Sequence, residues 1–245
     1  MTRNIYLAIG DGITAGQGAS HPNLGFVQHV SKYLQDQSLT QRTVMIAFPG
    51  LTAKRLFQVV STLRPNLWDD VNAITICFGS ADLLRLLRPA VRRMNTHARP
   101  PRSILKLADE FGYHTDQLFR LIREKDVPYA FVTTLYNPLP AFASAGDLVE
   151  GMNNIICDCA DYYKLPVVDL EKGFANNEAF LIDGYRTGSA LDLMNPLRKP
   201  VLPNNAGHKL IAHLITQKIH LRLTRRPNRK AGLSRPRKLR RRGTM

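Results

Sequence analysis

Five short apolar runs, at residues 4–9, 43–48, 73–78, 128–135 and 166–170, alternate with longer stretches of helical periodicity. Each run is nearly continuous in β-branched, aromatic and other apolar residues, which is how strands covered on both faces read. The stretches 24–37, 53–63, 104–125 and 148–164, with 206–223 after the last run, instead place apolar residues at three- and four-residue intervals. Strand alternating with helix predicts right-handed crossovers and an α/β chain, folded as a three-layer α/β/α sandwich around a five-stranded parallel sheet. With 245 residues, 44% of them hydrophobic, the chain is long enough to bury a sizeable core as one domain. Residues 172–203 are weakly periodic and rich in turn formers, and read as a surface loop region leading into the final helix.

The formal charge of +15 is unevenly placed. Eleven basic residues and no acidic one lie in 222–245, which leaves 23 cations against 19 acids in 1–221. The terminal stretch, interrupted by Pro227, Gly232 and Pro236, has too few apolar residues to offset its ordering entropy. The expected organisation is a folded domain over 1–221 and a basic disordered tail over 222–245. Such a tail attracts nucleic acid or an anionic membrane nonspecifically, although it carries no aromatic residue for base stacking.

The three cysteines, Cys77, Cys157 and Cys159, are too few and too apolar in context for a disulfide framework, and the Cys-x-Cys pair has no partner ligands nearby in sequence. Buried thiols, no metal and no cofactor are expected. The apolar start ends at Ile9 and runs at once into Gly-Asp-Gly, too short for the centre of a signal peptide. No run approaches the ~20 apolar residues of a membrane span, and a cytoplasmic location is the expectation.

In a parallel α/β sheet the binding site forms outside the carboxyl ends of the strands. The loops there read Gly10-Asp11-Gly12-Ile13-Thr14-Ala15-Gly16, Pro49-Gly50-Leu51-Thr52, Gly79-Ser80-Ala81-Asp82 and, after the fourth run, Asn137-Pro138; Pro203-Asn204-Asn205-Ala206-Gly207-His208 opens the last helix. A single glycine turn after a strand carries little information, but five such blocks in this order resemble the SGNH (GDSL-type) hydrolases over about residues 4–221. The resemblance implies the flavodoxin-like α/β/α fold of that family. It also implies a set of roles. A first-block serine attacks an acyl carbonyl, and a late Asp-x-x-His supplies orienter and base. The oxyanion is held by backbone N–H groups of the first two blocks and a third-block asparagine side chain.

Carried over position by position, the four side-chain roles are empty. Gly12 stands at the nucleophile position and Ala81 at the asparagine position; Lys199 and Leu202 replace the aspartate and histidine. Acyl transfer needs an ionisable nucleophile beside an oriented base, so the family's mechanism is not expected to operate. Gly12, Gly50 and Gly79, with Lys199 reversing a charge, are left as the remnant of an oxyanion or ligand site. Asp11 and Asp82 are expected to act structurally, accepting backbone N–H groups at turns and helix N-termini. Thr14 is expected to bond a nearby carbonyl, Ser80 to cap the helix that follows, and His208, His213 and His220 to be packing or surface histidines.

Three functional readings follow. The first is a non-catalytic binding or scaffold module, whose remnant pocket either takes a small anionic or acyl-bearing ligand or is filled, with Leu202 closing over Gly12. The second is an esterase or lipase acting on a small ester through a non-standard site. The third is a tail-mediated binder of nucleic acid or anionic membrane.

Overall fold

The computed structural model describes residues 3–91, 102–194 and 201–224. Its sheet is five-stranded and all parallel, in the order β2-β1-β3-β4-β5, with β1 at Ile5–Gly10, β2 at Arg42–Ala47, β3 at Val71–Cys77, β4 at Tyr129–Thr133 and β5 at Val167–Val168. The period of two in β1 shows how the layers arise. Ile5, Leu7 and Ile9 enter one apolar core, while Tyr6 and Ala8 enter the other.

The first core is covered by α2 (Ala53–Ser61), α3 (Pro65–Asp70), α4 (Ser80–Val91), α5 (Arg102–Glu124) and α6 (Ala143–Tyr162). The second is covered by α1 (Phe26–Asp36), α7 (Leu170–Phe174), α8 (Glu178–Leu181) and α9 (Asn205–Thr224). In α9 the residues His208, Ile211, Ala212, Ile215 and Ile219 form the buried stripe, at the three- and four-residue spacing read from the sequence.

Several expectations need correction. β2 is an edge strand, and Met45 is 45% exposed, so it is not covered on both faces. Residues 80–91 form a helix that the sequence reading passed over, because its apolar residues directly follow a glycine turn and Pro89 lies inside it. The fifth strand stops at Val168, since Asp169 accepts the N–H of Lys172 and starts α7; with α8 and a 3₁₀ segment at Ala190–Met194, this replaces part of the expected loop region. The last helix continues to Thr224, three residues into the stretch assigned to the tail; residues 225–245 lie outside the described residues. Cys77 is buried as expected, but Cys157 is exposed and Cys159 half-buried on α6. Among the described residues no group of three or more His, Cys, Asp or Glu is placed to hold a metal, and no helix is long and apolar enough to cross a membrane.

Candidate functional site

The loops after β1, β2 and β3 meet at the carboxyl end of the sheet, and two carboxylates tie them together. Asp11 is fully buried. Its Oδ1 accepts the Ile13 N–H at 3.0 Å, and its Oδ2 accepts the Ser80 N–H at 2.8 Å and the Ser80 hydroxyl at 2.7 Å. Asp82 Oδ2 accepts the Ala53 N–H, at the start of α2, at 2.8 Å. Both carboxylates thus accept backbone N–H groups where a loop turns or a helix starts. Burial raises the pKa of both carboxyls: Asp11 moves upward against the pull of its donors, and Asp82 reaches about 6, with the Ala53 N–H opposing and the Asp11 charge adding to the rise.

Ser80 does not act as the cap expected of it. The Leu83 N–H bonds to Gly79 O at 2.8 Å, so Gly79, held at φ +101°, sits at the cap position, and the Ser80 hydroxyl is given to Asp11. Thr14 donates to Cys77 O at 2.8 Å, as expected. The Cys77 thiol lines the same region, but burial and the nearby Asp11 push it up to about 12, which keeps it protonated.

Gly12 is buried, and the space a β-carbon would occupy there is taken by the carboxamide oxygen of Gln17, an exposed side chain that folds back over the turn. Gly50 is exposed at φ +76° with open space on its side-chain face. The N–H groups of Gly12 and Gly50 make no hydrogen bond among the described residues. Ala81 lies half-buried in the first turn of α4, where its N–H also points to Asp11. Beside this turn is a cavity of about 10 Å³, bordered by Ile13, Ser80, Tyr136 and Val201, large enough for about one water.

The late block packs against the first one. The Pro203 carbonyl and the Leu202 side chain meet Gly18, and Leu202 is half-buried against the core that also holds Ile211. Over Gly12 the structure places Gln17, not the Leu202 expected there. Asn204 Oδ1 accepts the N–H groups of Ala206 and Gly207 and so starts α9. His208 accepts the Phe26 N–H on Nδ1 at 3.3 Å and faces Gln17 O through Nε2 at 3.0 Å, an arrangement that puts its proton on Nε2. Burial lowers its pKa. His213 and His220 are exposed on α9, and Lys199 lies outside the described residues.

Sequence reasoning missed Gln17 and Asn153. Asn153, buried on α6, accepts the Leu135 N–H at 2.7 Å and donates to Leu135 O at 2.9 Å and Glu171 Oε2 at 2.7 Å, fixing the loop after β4. The available signal was an asparagine one turn after Val149, on the buried face of an amphipathic helix.

Residues 8–210 match the GDSL-like lipase/acylhydrolase family. The chain belongs to that family. It is similar to the spore germination lipase LipC of Bacillus licheniformis, with 25% identity over 183 residues, covering 71% of this chain and 82% of the relative. The lipase Lip_vut3 from a goat rumen metagenome superposes with a TM-score of 0.68 at 22% identity, over 87% of this chain and 96% of the other. Axe2, an acetylxylan esterase from Geobacillus stearothermophilus, gives 0.62 at 18% identity, over 89% and 96%. These two likenesses establish the shared α/β/α fold.

Proposed function

We propose that this member of the family is a non-catalytic binding or scaffold module in which the acyl-transfer site has been closed. The observation that carries the reading is the setting of Gly12, where there is no hydroxyl and the Gln17 carboxamide occupies the space of a β-carbon. Acyl transfer needs an activated nucleophile, and among the described residues no serine, threonine or cysteine side chain is hydrogen-bonded to a histidine ring. His208, the histidine nearest the turn in bonding terms, has both ring nitrogens engaged with backbone groups.

A second reading is favoured by the N–H groups of Gly12 and Gly50, which have no acceptor among the described residues. A small carboxylate, a phosphate or an acyl group is the chemistry such donors attract. The face of Gly50 is open, while a ligand on the side-chain face of Gly12 would have to displace Gln17.

Hydrolysis of p-nitrophenyl acetate and butyrate tests the main reading. The parent and Gly12→Ser are both expected to match a heat-denatured control, because Leu202 supplies no base; turnover by the parent overturns the reading in favour of an esterase. Thermal shift with acetate and phosphate separates the second reading, with a response expected to grow in Gln17→Ala; no response in either chain removes it.

A further inference from the structure

On the far side of the second core, the free edge of β5 and the C-terminal half of α9 enclose a groove made of two adjoining depressions of about 440 and 410 Å³, which share Lys218 and Leu221. Each is of the size that holds a small-molecule ligand. The floor is apolar, with Val167, Val168, Leu214 and Leu221, and Leu221 remains 44% exposed. The rim is cationic. Lys164, Lys172 and Lys218 are exposed around it, and the Arg222 guanidinium stands 6.0 Å over the Phe131 ring at one end. A single carboxylate, Asp169, lies on the lining, already accepting the Lys172 N–H; Lys164 also pairs at 3.3 Å with Asp161.

An apolar floor beneath a rim of cations selects an amphiphile with an anionic head. The chain's own terminal stretch is a poor occupant, because its ten cations from Arg225 to Arg242 come with no acid and would meet like charge. A nucleic acid would use the cations but not the aliphatic floor, and Phe131, the aromatic ring on the lining, is 1% exposed and offers no face for a base. We propose that this groove is a docking site for an anionic phospholipid at a membrane surface. Its phosphate lies between Lys164 and Lys218, which line the same depression, and one acyl chain runs along Leu221 and Leu214 toward Lys172.

The test is co-sedimentation of the full chain with phosphatidylglycerol/phosphatidylcholine vesicles and with phosphatidylcholine vesicles, at low and at physiological salt. Binding is expected on the anionic vesicles alone. Lys164→Gln/Lys218→Gln is expected to weaken it about 30-fold. Leu221→Gln, which changes no charge and touches an exposed side chain, is expected to weaken it about 10-fold, with unchanged circular dichroism for both variants. Binding by the terminal stretch alone predicts no effect of Leu221→Gln, and that result overturns the proposal. Equal binding to neutral vesicles also overturns it. So does concentration-dependent self-association that Leu221→Gln abolishes, which would assign the groove to a second copy of the chain.

Discussion

Gly10 ends β1 and Gly12 lies two residues on in the turn that follows, yet the surroundings of their missing side chains differ in kind. A β-carbon on Gly10 would run into the Cys77 carbonyl at the end of β3 and the Thr14 hydroxyl that donates to it. A β-carbon on Gly12 would meet the far end of the Gln17 side chain, which is exposed and free to swing outward. Gly10→Ala is therefore expected to cost about 3 kcal/mol, because backbone must shift, while Gly12→Ala is expected to cost less than about 1 kcal/mol. Urea denaturation of the two variants checks this, and equal losses would show that Gln17 is locked in place. The contrast bears on function, since a mild Gly12 phenotype means that the position tolerates a side chain and that the fold does not demand glycine there.

At the level of elements, the site is held by polar residues that bond backbone groups, and Asn153 is one that both accepts and donates. It satisfies both backbone groups of Leu135, so Asn153→Ala leaves a buried N–H and C=O unpaired along with Glu171 Oε2. An expected loss of about 3 kcal/mol follows, and a urea midpoint within error of the parent would remove Asn153 from that role. The strands and long helices were legible because a two-residue or 3.6-residue apolar period is written locally, as in Ile5, Leu7 and Ile9 or in Ile211, Ile215 and Ile219. The block glycines and the bonding of Asp11 and Asp82 were legible for the same reason, as turn chemistry following a strand. Gln17 and Asn153 were not, because what they do depends on partners brought near by folding: a glycine five residues back whose side-chain space lies open, and a loop 18 residues away. Ser80 was misread because a serine opening a helix is ordinarily a cap, and only the sheet places the Asp11 carboxylate within its reach.

Across the whole molecule, the two cores carry buried titratable groups whose pH dependences oppose one another. The folded chain holds the Asp82 proton up to about pH 6, whereas the unfolded carboxyl releases it near 3.8. Stability from this group is therefore lost as pH rises between those values, and Asp11, shifted in the same direction, adds to the slope. His208, on the other side of the sheet, is held neutral by burial below its ordinary 6.5; the unfolded imidazole takes up a proton first, so stability is lost as pH falls through 6.5. In the parent the two slopes partly cancel between pH 4 and 6.5, and single variants should separate them. Relative to the parent, Asp82→Asn, which keeps an acceptor for the Ala53 N–H, is expected to gain about 2 kcal/mol as pH rises from 4 to 6. His208→Gln, destabilised at neutral pH by loss of its link between Gln17 and Phe26, is expected to recover part of its deficit as pH falls below 6.5. Urea midpoints measured across that range decide the matter: differences from the parent that stay constant with pH in both variants would mean that neither group is held in its buried protonation state, and that the carboxylate link between the loops is solvated rather than sealed.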